Sequence, residues 1–447
     1  MRGDVMLKRV GVEDWVALPN VSIAKASFPS PFYSGLEFSA PARGTWTIVH
    51  VGMLVPEAHE IFVCAASCLR GVVLSAAEMS LTGRFSTVAI EEHNVLEGDM
   101  EDLIIEGVTD ILNRLPKLPP AVMVYSSCIH HFVGCDLELC YNVLRERFPD
   151  VDFTDCYMIP TMRKSGLTPD QIMRRQLYSF LQPAEKDKTA CSVIGNCFSL
   201  ADESDLVKLI RRAGYTLYQI LDFTTYREYR NMEKSSFCVT TQPVAKVAGE
   251  TLEMRLGQTH LYLPFSWRAD EIRSTLQTLA QRLGVSYDGG EKEEQEALQA
   301  LDAAQKTIGD TPIAIDYTFT SRPLGLAKLL LEHGFQVREL YLDVFNPEEK
   351  EEYLWLREHA PEVQVFPTVH ASMRKLQRSA GEKILALGQK AAYFTGTGHF
   401  VNLVENGELY GFYAISRLAA MMEEAYEQEK DTEKLIQIKG LGCASCV

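Results

Sequence analysis

Cysteine and histidine side chains concentrate in one stretch of the sequence, AVMVYSSCIHHFVGCD at residues 121–136. Two further cysteines lie upstream, four residues apart. Thiolate sulfur is a soft ligand that suits iron–sulfur clusters and zinc, and imidazole ligates metals or donates hydrogen bonds to them. The alternative is that the thiols are buried packing residues, which free cysteines commonly are. The side chains concerned are Cys64, Cys68, Cys128, His130, His131 and Cys135.

The elements around Cys128 decide where its thiol lies. The apolar run from Ala121 to Ser127 predicts one buried strand, and residues 137–148 predict an amphipathic helix. Cys128 therefore stands at the carboxyl edge of a parallel sheet, where open α/β sheets usually bind their ligands. Residues 57–79 are largely apolar and predict a helix, on which Cys64 and Cys68 would share one face.

An iron–sulfur cluster needs about four ligands, which are usually cysteines. The spacing here is not the local pattern of a ferredoxin, so the ligands would come from separate elements. The histidine pair that follows Cys128 would donate hydrogen bonds to the cluster and tune its potential. The sequence thus predicts a cluster held by Cys64, Cys68, Cys128 and Cys135.

The composition is that of an ordinary globular protein with several domains. The chain has 447 residues, of which 46% are hydrophobic and 23% charged, and its net charge is −16. This acidic balance argues against a nucleic-acid partner, which needs a basic surface. No apolar run is long enough to span a membrane, and the N-terminus has no apolar signal core. We therefore expect a cytoplasmic protein whose eleven cysteines stay reduced and form no disulfide framework.

Nucleotide and hydrolase motifs are absent from the sequence. It has no G-x-G-x-x-G after its first strand, no Walker A loop and no G-x-S-x-G elbow. The loop Thr395–His399 contains two glycines but favours an ordinary turn. The CxxC at Cys443–Cys446 lacks the βαβ context of a thioredoxin-type motif, and we expect it to have no metal or electron-relay role.

Strand-like and helix-like segments alternate along most of the chain, and polar breaks divide them into three series. This pattern predicts an α/β fold with three Rossmann-like domains, whose parallel sheets surround a central cleft. Cys238 and His399 each lie near a predicted strand end, where spacing alone favours a structural role. The expected divisions are an N-terminal arm at 1–40, domains at 41–187, 188–305 and 306–425, and a C-terminal tail at 426–447.

Several segments resemble nitrogenase component 1 and the nitrogenase-like reductases, and they follow in the family's order. SSCIHHFVGCDL at residues 126–137 is similar to the family's S-x-C-x-x-x-x-x-G-D-D-I/L, whose cysteine is a cluster ligand. His50-Val51-Gly52 resembles the family's H-x-G opening. Residues 91–101 resemble the family's acidic segment before a helix, and residues 312–327 resemble the opening of its third domain. Residues 410–419 resemble the family's G-F-x-I-x-R segment.

The resemblance implies a reductase subunit that accepts electrons from a separate ATP-dependent iron–sulfur reductase, the iron-protein type of ATPase. A cluster of the 4Fe–4S type or larger would relay them to a substrate or to a second metallocofactor. The subunit would form a homodimer or pair with a paralogous second subunit. Cys238 and His399 fall near the family's cofactor-binding residues.

The sequence departs from the family's pattern at the expected cluster ligands. Pro56 stands where family members have their first cluster cysteine, and the second is missing between Met79 and Glu92. Cys135 replaces the first aspartate of the G-D-D pattern. Cys64 and Cys68 are therefore the candidates to replace the missing ligands.

Two other functions remain open from the sequence. The first is a scaffold that assembles or carries a metal cluster. The second is an α/β protein without catalytic activity that binds a small molecule. Iron and sulfide analysis of anaerobically purified protein separates the last of these from the others.

Overall fold

The computed structural model describes residues 19–33, 37, 40, 45–159, 166–376 and 382–432. The predicted N-terminal arm lies largely outside these residues, and the CxxC of the C-terminal tail lies wholly outside them. The chain divides into two compact units. The first unit comprises residues 45–295 and 407–414, and the second comprises the described parts of 1–44, 296–406 and 415–447. The first strand, β1 (Val21–Ser22), belongs to the second unit.

Sheet one lies in the first unit and has four parallel strands in the order β3-β2-β4-β5. The chain runs from β2 outward to β3 and returns to add β4 on the other side of β2, so the strand order reverses between β2 and β4. The strands are β2 (His59–Ala65), β3 (Phe85–Ile90), β4 (Ala121–Ser127) and β5 (Asp152–Met158). The helices are α1 (Ile48–Gly52), α2 (Ala66–Glu78), α3 (Glu92–Glu97), α4 (Met100–Arg114), α5 (Cys128–Val133), α6 (Leu137–Arg147) and α7 (Pro169–Gln176).

Sheet two completes the first unit with four parallel strands in the order β7-β6-β8-β9. Its strand order reverses between β6 and β8. The strands are β6 (Asp187–Val193), β7 (Thr216–Gln219), β8 (Ser235–Thr240) and β9 (Thr259–Tyr262). The helices of this part of the chain are α8 (Asp205–Arg212), α9 (Tyr226–Tyr229), α10 (Lys246–Leu256), α11 (Ala269–Leu283) and α12 (Glu291–Ile308).

Sheet three lies in the second unit and has the order β1-β12-β11-β10-β13-β14, in which only the β1–β12 pair is antiparallel. The strand order reverses between β10 and β13. The remaining strands are β10 (Pro312–Asp316), β11 (Gln336–Tyr341), β12 (Gln364–Phe366), β13 (Leu385–Leu387) and β14 (Phe400–Val401). The last helices are α13 (Pro323–Glu332), α14 (Lys350–His359), α15 (Gln389–Thr395) and α16 (Phe412–Glu427).

The parallel sheets with helices between their strands confirm the predicted α/β fold class. The domain boundaries and the central cleft stay predictions. Within the described residues, no helix is both long and apolar enough to cross a membrane.

Gly52, two residues after His50, packs against the core of sheet one. Glu60 on β2 is fully buried, and the Tyr125 hydroxyl on β4 donates a hydrogen bond of 3.0 Å to its Oε1. Burial raises the pKa of Glu60 well above its ordinary value. A Cβ on Gly52 would overlap both Glu60 Oε1 and the Tyr125 hydroxyl, so only glycine fits beside this pair.

One predicted element is wrong in type. Residues 57–79, predicted as one helix, form β2 and then α2. Short apolar runs of this kind fit a buried strand and a buried helix equally well by periodicity.

Candidate functional site

Two of the predicted ligands lie at the carboxyl edge of sheet one, at the ends of adjacent strands. Cys64 is the sixth residue of β2, and Cys128 is the first residue after β4. Val63 is paired with Ser126 in the β2–β4 register, so Cys64 lies level with Ser127, one residue before Cys128. The strand order reverses between these two strands, which is where open α/β sheets usually bind ligands.

Cys68 reaches the same edge from the first turn of α2, three residues after β2 ends. Burial, together with charge on the neighbouring Cys68 and Cys128, raises the pKa of the Cys64 thiol to about 12. Cys64 is fully buried, Cys128 is half-buried and Cys68 is exposed. The three thiols therefore form a group that opens to solvent on the Cys68 side.

The predicted common helical face for Cys64 and Cys68 is wrong, because Cys64 lies in a strand. The junction between β2 and α2 brings the two thiols together instead. α2 begins directly after β2, which places Cys68 in its first turn.

His130 is a buried hydrogen-bond donor beside Cys128. Its Nδ1 accepts the Ser127 N–H at 3.0 Å, so the neutral ring carries its proton on Nε2. His130 is 1% exposed, and its Nε2 has no hydrogen-bond partner among the described residues. Burial lowers the pKa of His130, which keeps the ring neutral. A buried donor without a partner suits a site whose bound group supplies the acceptor. His131, by contrast, is exposed.

Cys135 has different contacts from the other three predicted ligands. Cys140, burial and the nearby Glu101 carboxylate raise the pKa of its thiol. Cys140, on α6, is fully buried. The structure thus brings Cys64, Cys68 and Cys128 together and pairs Cys135 with Cys140.

The donor set fits a polynuclear cluster better than a single ion. Among the residues that the structure describes, no group of three His, Cys, Asp or Glu side chains is placed to hold one metal ion. The thiolate ligands of a cluster bind different irons and lie farther apart than the ligands of one zinc ion. Cys64, Cys68 and Cys128 would provide three such positions, and a four-ligand cluster would need a fourth ligand from elsewhere.

Cys238 and His399 lie in different units, and each has a distinct setting. Cys238 is fully buried in the middle of β8, and burial raises the pKa of its thiol to about 12. His399 is half-buried just before β14, and its Nδ1 lies 3.0 Å from the Ala425 carbonyl oxygen, to which it donates. That bond leaves Nε2 as the atom that would bind a metal. The cofactor roles of both residues stay predictions.

A cavity of about 460 Å³ lies beside β5 and α1, and no sequence motif indicated it. Thr47 lies in its wall, and the Thr47 hydroxyl is 2.8 Å from His50 Nδ1. The Nε2 of His50 lies 3.1 Å from the Glu78 carboxylate. This chain of polar groups connects the cavity to a buried carboxylate. The cavity is lined by Thr45, Trp46, Thr47, Ile48, Met158, Ile159, Thr168, Pro169 and Asp170.

Exposed apolar side chains lie on the short helices α3 and α5, which follow β3 and β4 at the thiol-bearing edge of sheet one. Leu96 is 81% exposed and Phe132 is 70% exposed. Both helices have six residues and end at a glycine with positive φ, Gly98 and Gly134. We call these residues the apolar edge face; its members are Val95, Leu96, Phe132 and Val133.

Comparisons with known proteins agree with this architecture. The family model described as nitrogenase component 1 type oxidoreductase matches residues 51–395. A solved structure described as nitrogenase Cp1 at pH 6.5 is 13% identical with a TM-score of 0.65, covering 89% of this chain and 94% of that one. Nitrogenase Cp1 at pH 5 is 14% identical with a TM-score of 0.59, covering 91% and 93%. No curated protein matches the sequence significantly.

Proposed function

Because the chain belongs to the nitrogenase component 1 type oxidoreductase family, we propose that it is the subunit of a nitrogenase-like reductase. Members of this family typically bind iron–sulfur clusters and work with an iron-protein partner. In this proposal the chain accepts electrons from an ATP-dependent iron–sulfur reductase. It relays them through its own cluster to a bound substrate or second metallocofactor.

The observation that carries the proposal is the convergence of Cys64, Cys68 and Cys128 where the strand order of sheet one reverses. These thiolates would hold the cluster, which supplies one-electron storage when bound. Rigid β2 and β4 fix two of the three sulfurs, as a cluster site requires. The buried Nε2–H of His130 would donate to the cluster and stabilise its negative charge. The contacts of Cys135 favour a role outside this set.

A second subunit would complete the site. Three thiols leave one ligand position open, and the exposed side of the group is the side where Cys68 lies. The apolar edge face lies at the same edge of sheet one and would be covered by a copy of this chain or by a paralogue. Exposed aromatic and aliphatic side chains grouped on one face mark interaction surfaces. The iron-protein partner would approach the same subunit pair.

The substrate or metallocofactor would lie apart from the thiol group. Cys238 and His399 are the proposed cofactor-binding residues. The hydrogen bond from His399 Nδ1 to the Ala425 carbonyl keeps the ring proton on Nδ1, so Nε2 has the free lone pair that a metal ligand needs. The cavity beside α1 offers space for a small substrate, and His50 with Glu78 would hold a proton at the Thr47 wall.

A scaffold that assembles or carries a cluster is the second candidate. The exposure of Cys68 favours it, because a cluster held partly at the surface can be passed to another protein. Substrate reduction in the presence of the iron-protein partner and ATP separates the candidates. A reductase turns over, and a scaffold only transfers iron to an acceptor protein.

Anaerobic purification followed by iron and sulfide analysis tests the proposal directly. The wild type should contain both, with charge-transfer absorption from thiolate-bound iron. The Cys128→Ala variant should lose most of the iron. Cys191→Ala is the control for the loss of a thiol outside the proposed ligand set, because Cys191 is fully buried on β6 of sheet two. Wild-type protein without iron, or a Cys128→Ala variant with full iron content, would contradict the proposal.

A further inference from the structure

A second cavity, of about 250 Å³, lies between α8 and residues 287–293, which lead from α11 into α12. We call it the α8 cavity, and all of its lining residues belong to the first unit. Three of the lining side chains are apolar and buried, namely Leu209, Leu276 and Phe412. Sites for drug-sized ligands have volumes of about 300–1,000 Å³, so this cavity suits a smaller ligand with an apolar part.

One wall of the α8 cavity is positively charged. Asp205, Lys208 and Arg212 line the cavity from one face of α8. The Asp205 carboxylate is used within the protein, because its Oδ2 accepts the N–H groups of Phe412 and Tyr413 at 2.6 and 3.2 Å. Lys208 and Arg212 are exposed, so this wall presents two cationic groups to a ligand.

The opposite wall is negatively charged. Asp288 and Glu293 line it, and both are exposed. The Arg212 guanidinium donates to the Ser286 carbonyl at 2.7 Å, which ties α8 to the chain just before this wall. The two walls therefore face one cavity with charges of opposite sign.

The charges on the two walls do not neutralise each other. Within the part of the chain that the structure describes, Lys208 and Glu293 form no ion pair or hydrogen bond. Their neighbours outside the cavity lining are paired: Arg211 with Asp202, and Glu294 with an arginine of α11. A ligand that satisfies both walls must carry one anionic and one cationic group.

The Tyr287 hydroxyl is a buried polar group at the same cavity. It has no hydrogen-bond partner among the described residues. A Cβ on Gly290 would lie 2.4 Å from this oxygen and 3.1 Å from the Phe412 ring, so the glycine allows the hydroxyl to pack against the backbone. Leaving a buried hydroxyl unpaired is unfavourable, and a bound group that supplies the partner removes that cost.

We propose that the α8 cavity binds a free α-amino acid with an apolar side chain. The ligand carboxylate lies against Lys208 and Arg212, and the ammonium group lies against Asp288 and Glu293. The Tyr287 hydroxyl oxygen accepts one ammonium N–H, and the ligand side chain packs on the buried apolar residues. Phosphates and polyamines are disfavoured, because each would place like charges against one wall.

Isothermal titration calorimetry of the native full-length chain tests the proposal with L-leucine, L-methionine and L-phenylalanine. At least one of them should bind saturably at millimolar concentration or below. Analogues that lack one charge, such as phenethylamine and hydrocinnamate for phenylalanine, should bind at least about tenfold more weakly. No saturable binding by any of the three amino acids would overturn the proposal. So would a singly charged analogue that binds as tightly as its amino acid.

Substitutions on the two walls locate the binding. Lys208→Met and Glu293→Gln should each weaken amino-acid binding about fivefold. Arg211→Met and Glu291→Gln are the matched controls, because these residues lie on the same helices outside the cavity lining, and both variants should bind as the wild type does. Full affinity in both wall variants would overturn the proposal.

Tyr287→Phe separates ligand binding from a structural role. The variant keeps the ring and should be as stable as the wild type without ligand, because the hydroxyl has no partner to lose. Its amino-acid affinity should fall about fivefold, and full affinity would remove the hydroxyl from the site. The proposal is independent of the cluster, so Cys128→Ala should bind the amino acid as the wild type does.

Discussion

The carboxyl edges of sheet one and sheet three share a topology and differ in chemistry. In both, the strand order reverses between neighbouring strands, β2 and β4 in one and β10 and β13 in the other. The edge of sheet one presents three thiols, one of them exposed. At the edge of sheet three, the fully buried Asp316 accepts the Thr318 N–H at 2.7 Å, the Thr318 hydroxyl at 2.5 Å and the Ala391 N–H at 2.7 Å.

The difference shows that strand order alone does not create a binding site. At the edge of sheet three, the Asp316 carboxylate accepts the backbone N–H and hydroxyl hydrogen bonds that a ligand would otherwise accept. The thiols of the other edge are poor hydrogen-bond partners for the backbone, so that edge stays available to a soft metal. The five predictions below test this contrast, and their expected effects run from the largest to none.

Asp316→Ala should cause the largest loss of stability. The substitution leaves two buried N–H groups without an acceptor, and each costs about 1–3 kcal/mol. We expect the second unit to lose about 4 kcal/mol, measured by hydrogen–deuterium exchange of β10 and β13 in increasing urea. Cys64→Ala, at the corresponding edge of sheet one, should cost less than half as much. Equal losses at the two sites would remove the contrast between them.

Gly388→Ala should destabilise the same edge by about 3 kcal/mol. Gly388 has φ of +109°, and a Cβ there would overlap the Asp316 carboxylate. Gly309→Ala is the matched control, because Gly309 also has positive φ but has open space around it, and it should cost about 1 kcal/mol. Urea unfolding of the two variants measures both values. If the two costs were equal, contact with Asp316 would not contribute.

The pH dependence of stability should have opposite signs in the two units. Burial lowers the pKa of His59 on β2 from 6.5 to about 4. As the pH falls through this range, the unfolded chain binds a proton at His59 before the folded chain does. The free energy of unfolding of sheet one therefore falls by up to about 3 kcal/mol. Burial raises the pKa of Glu349 in the second unit from 4.5 to about 8, so its contribution is lost as the pH rises through that range.

Exchange measurements at several pH values follow the two units separately. His59→Gln should flatten the acid limb in sheet one, and Glu349→Gln should flatten the alkaline limb in the second unit. Either variant affecting the other unit's limb would count against this assignment.

Cys68→Ser should change stability by less than about 0.5 kcal/mol, because the side chain is exposed. We nevertheless expect a large fall in iron content, since serine is a poor substitute for a soft thiolate. Ser67→Ala, at the neighbouring exposed position, is the control and should alter neither quantity. Full iron content in Cys68→Ser would remove this residue from the ligand set.

Deletion of residues 440–447, which contain the CxxC, should leave the iron content unchanged. The three thiols of sheet one are the proposed ligands, and the tail lies outside the described residues. Iron analysis of the truncated protein checks this expectation. A large loss of iron would assign the tail a role in holding or loading the cluster.

The sequence predicted the position of Cys128 because the strand before it is a long apolar run with a clear end. Cys64 was misplaced because the β2 run is short and passes directly into the apolar α2 without a turn signal. The approach of Cys68 to the same edge depends on that junction, so it could not be predicted from a helical face. The resemblance to the family identified the fold that the local patterns only suggested.

The pairing of Cys135 with Cys140 was missed for a different reason. It depends on the first residue of α6, and helix boundaries are the least certain part of a sequence prediction. Asp136 caps α6 by accepting the Leu139 N–H. An aspartate at this position was the sequence signal for the start of the helix. The contacts of Glu101 could not be predicted, because α4 and α6 meet only in the folded sheet.

The six-residue length of α3 and α5 has a kinetic consequence for the apolar edge face. Isolated helices need about 12–15 residues to be stable, so these two depend on their capping side chains, Asn94 and His130, and on the sheet beneath them. Their amide hydrogens will exchange with solvent sooner than those of the fifteen-residue α4. A docked partner would slow that exchange, so the rate at these twelve residues reports occupancy of the face in solution.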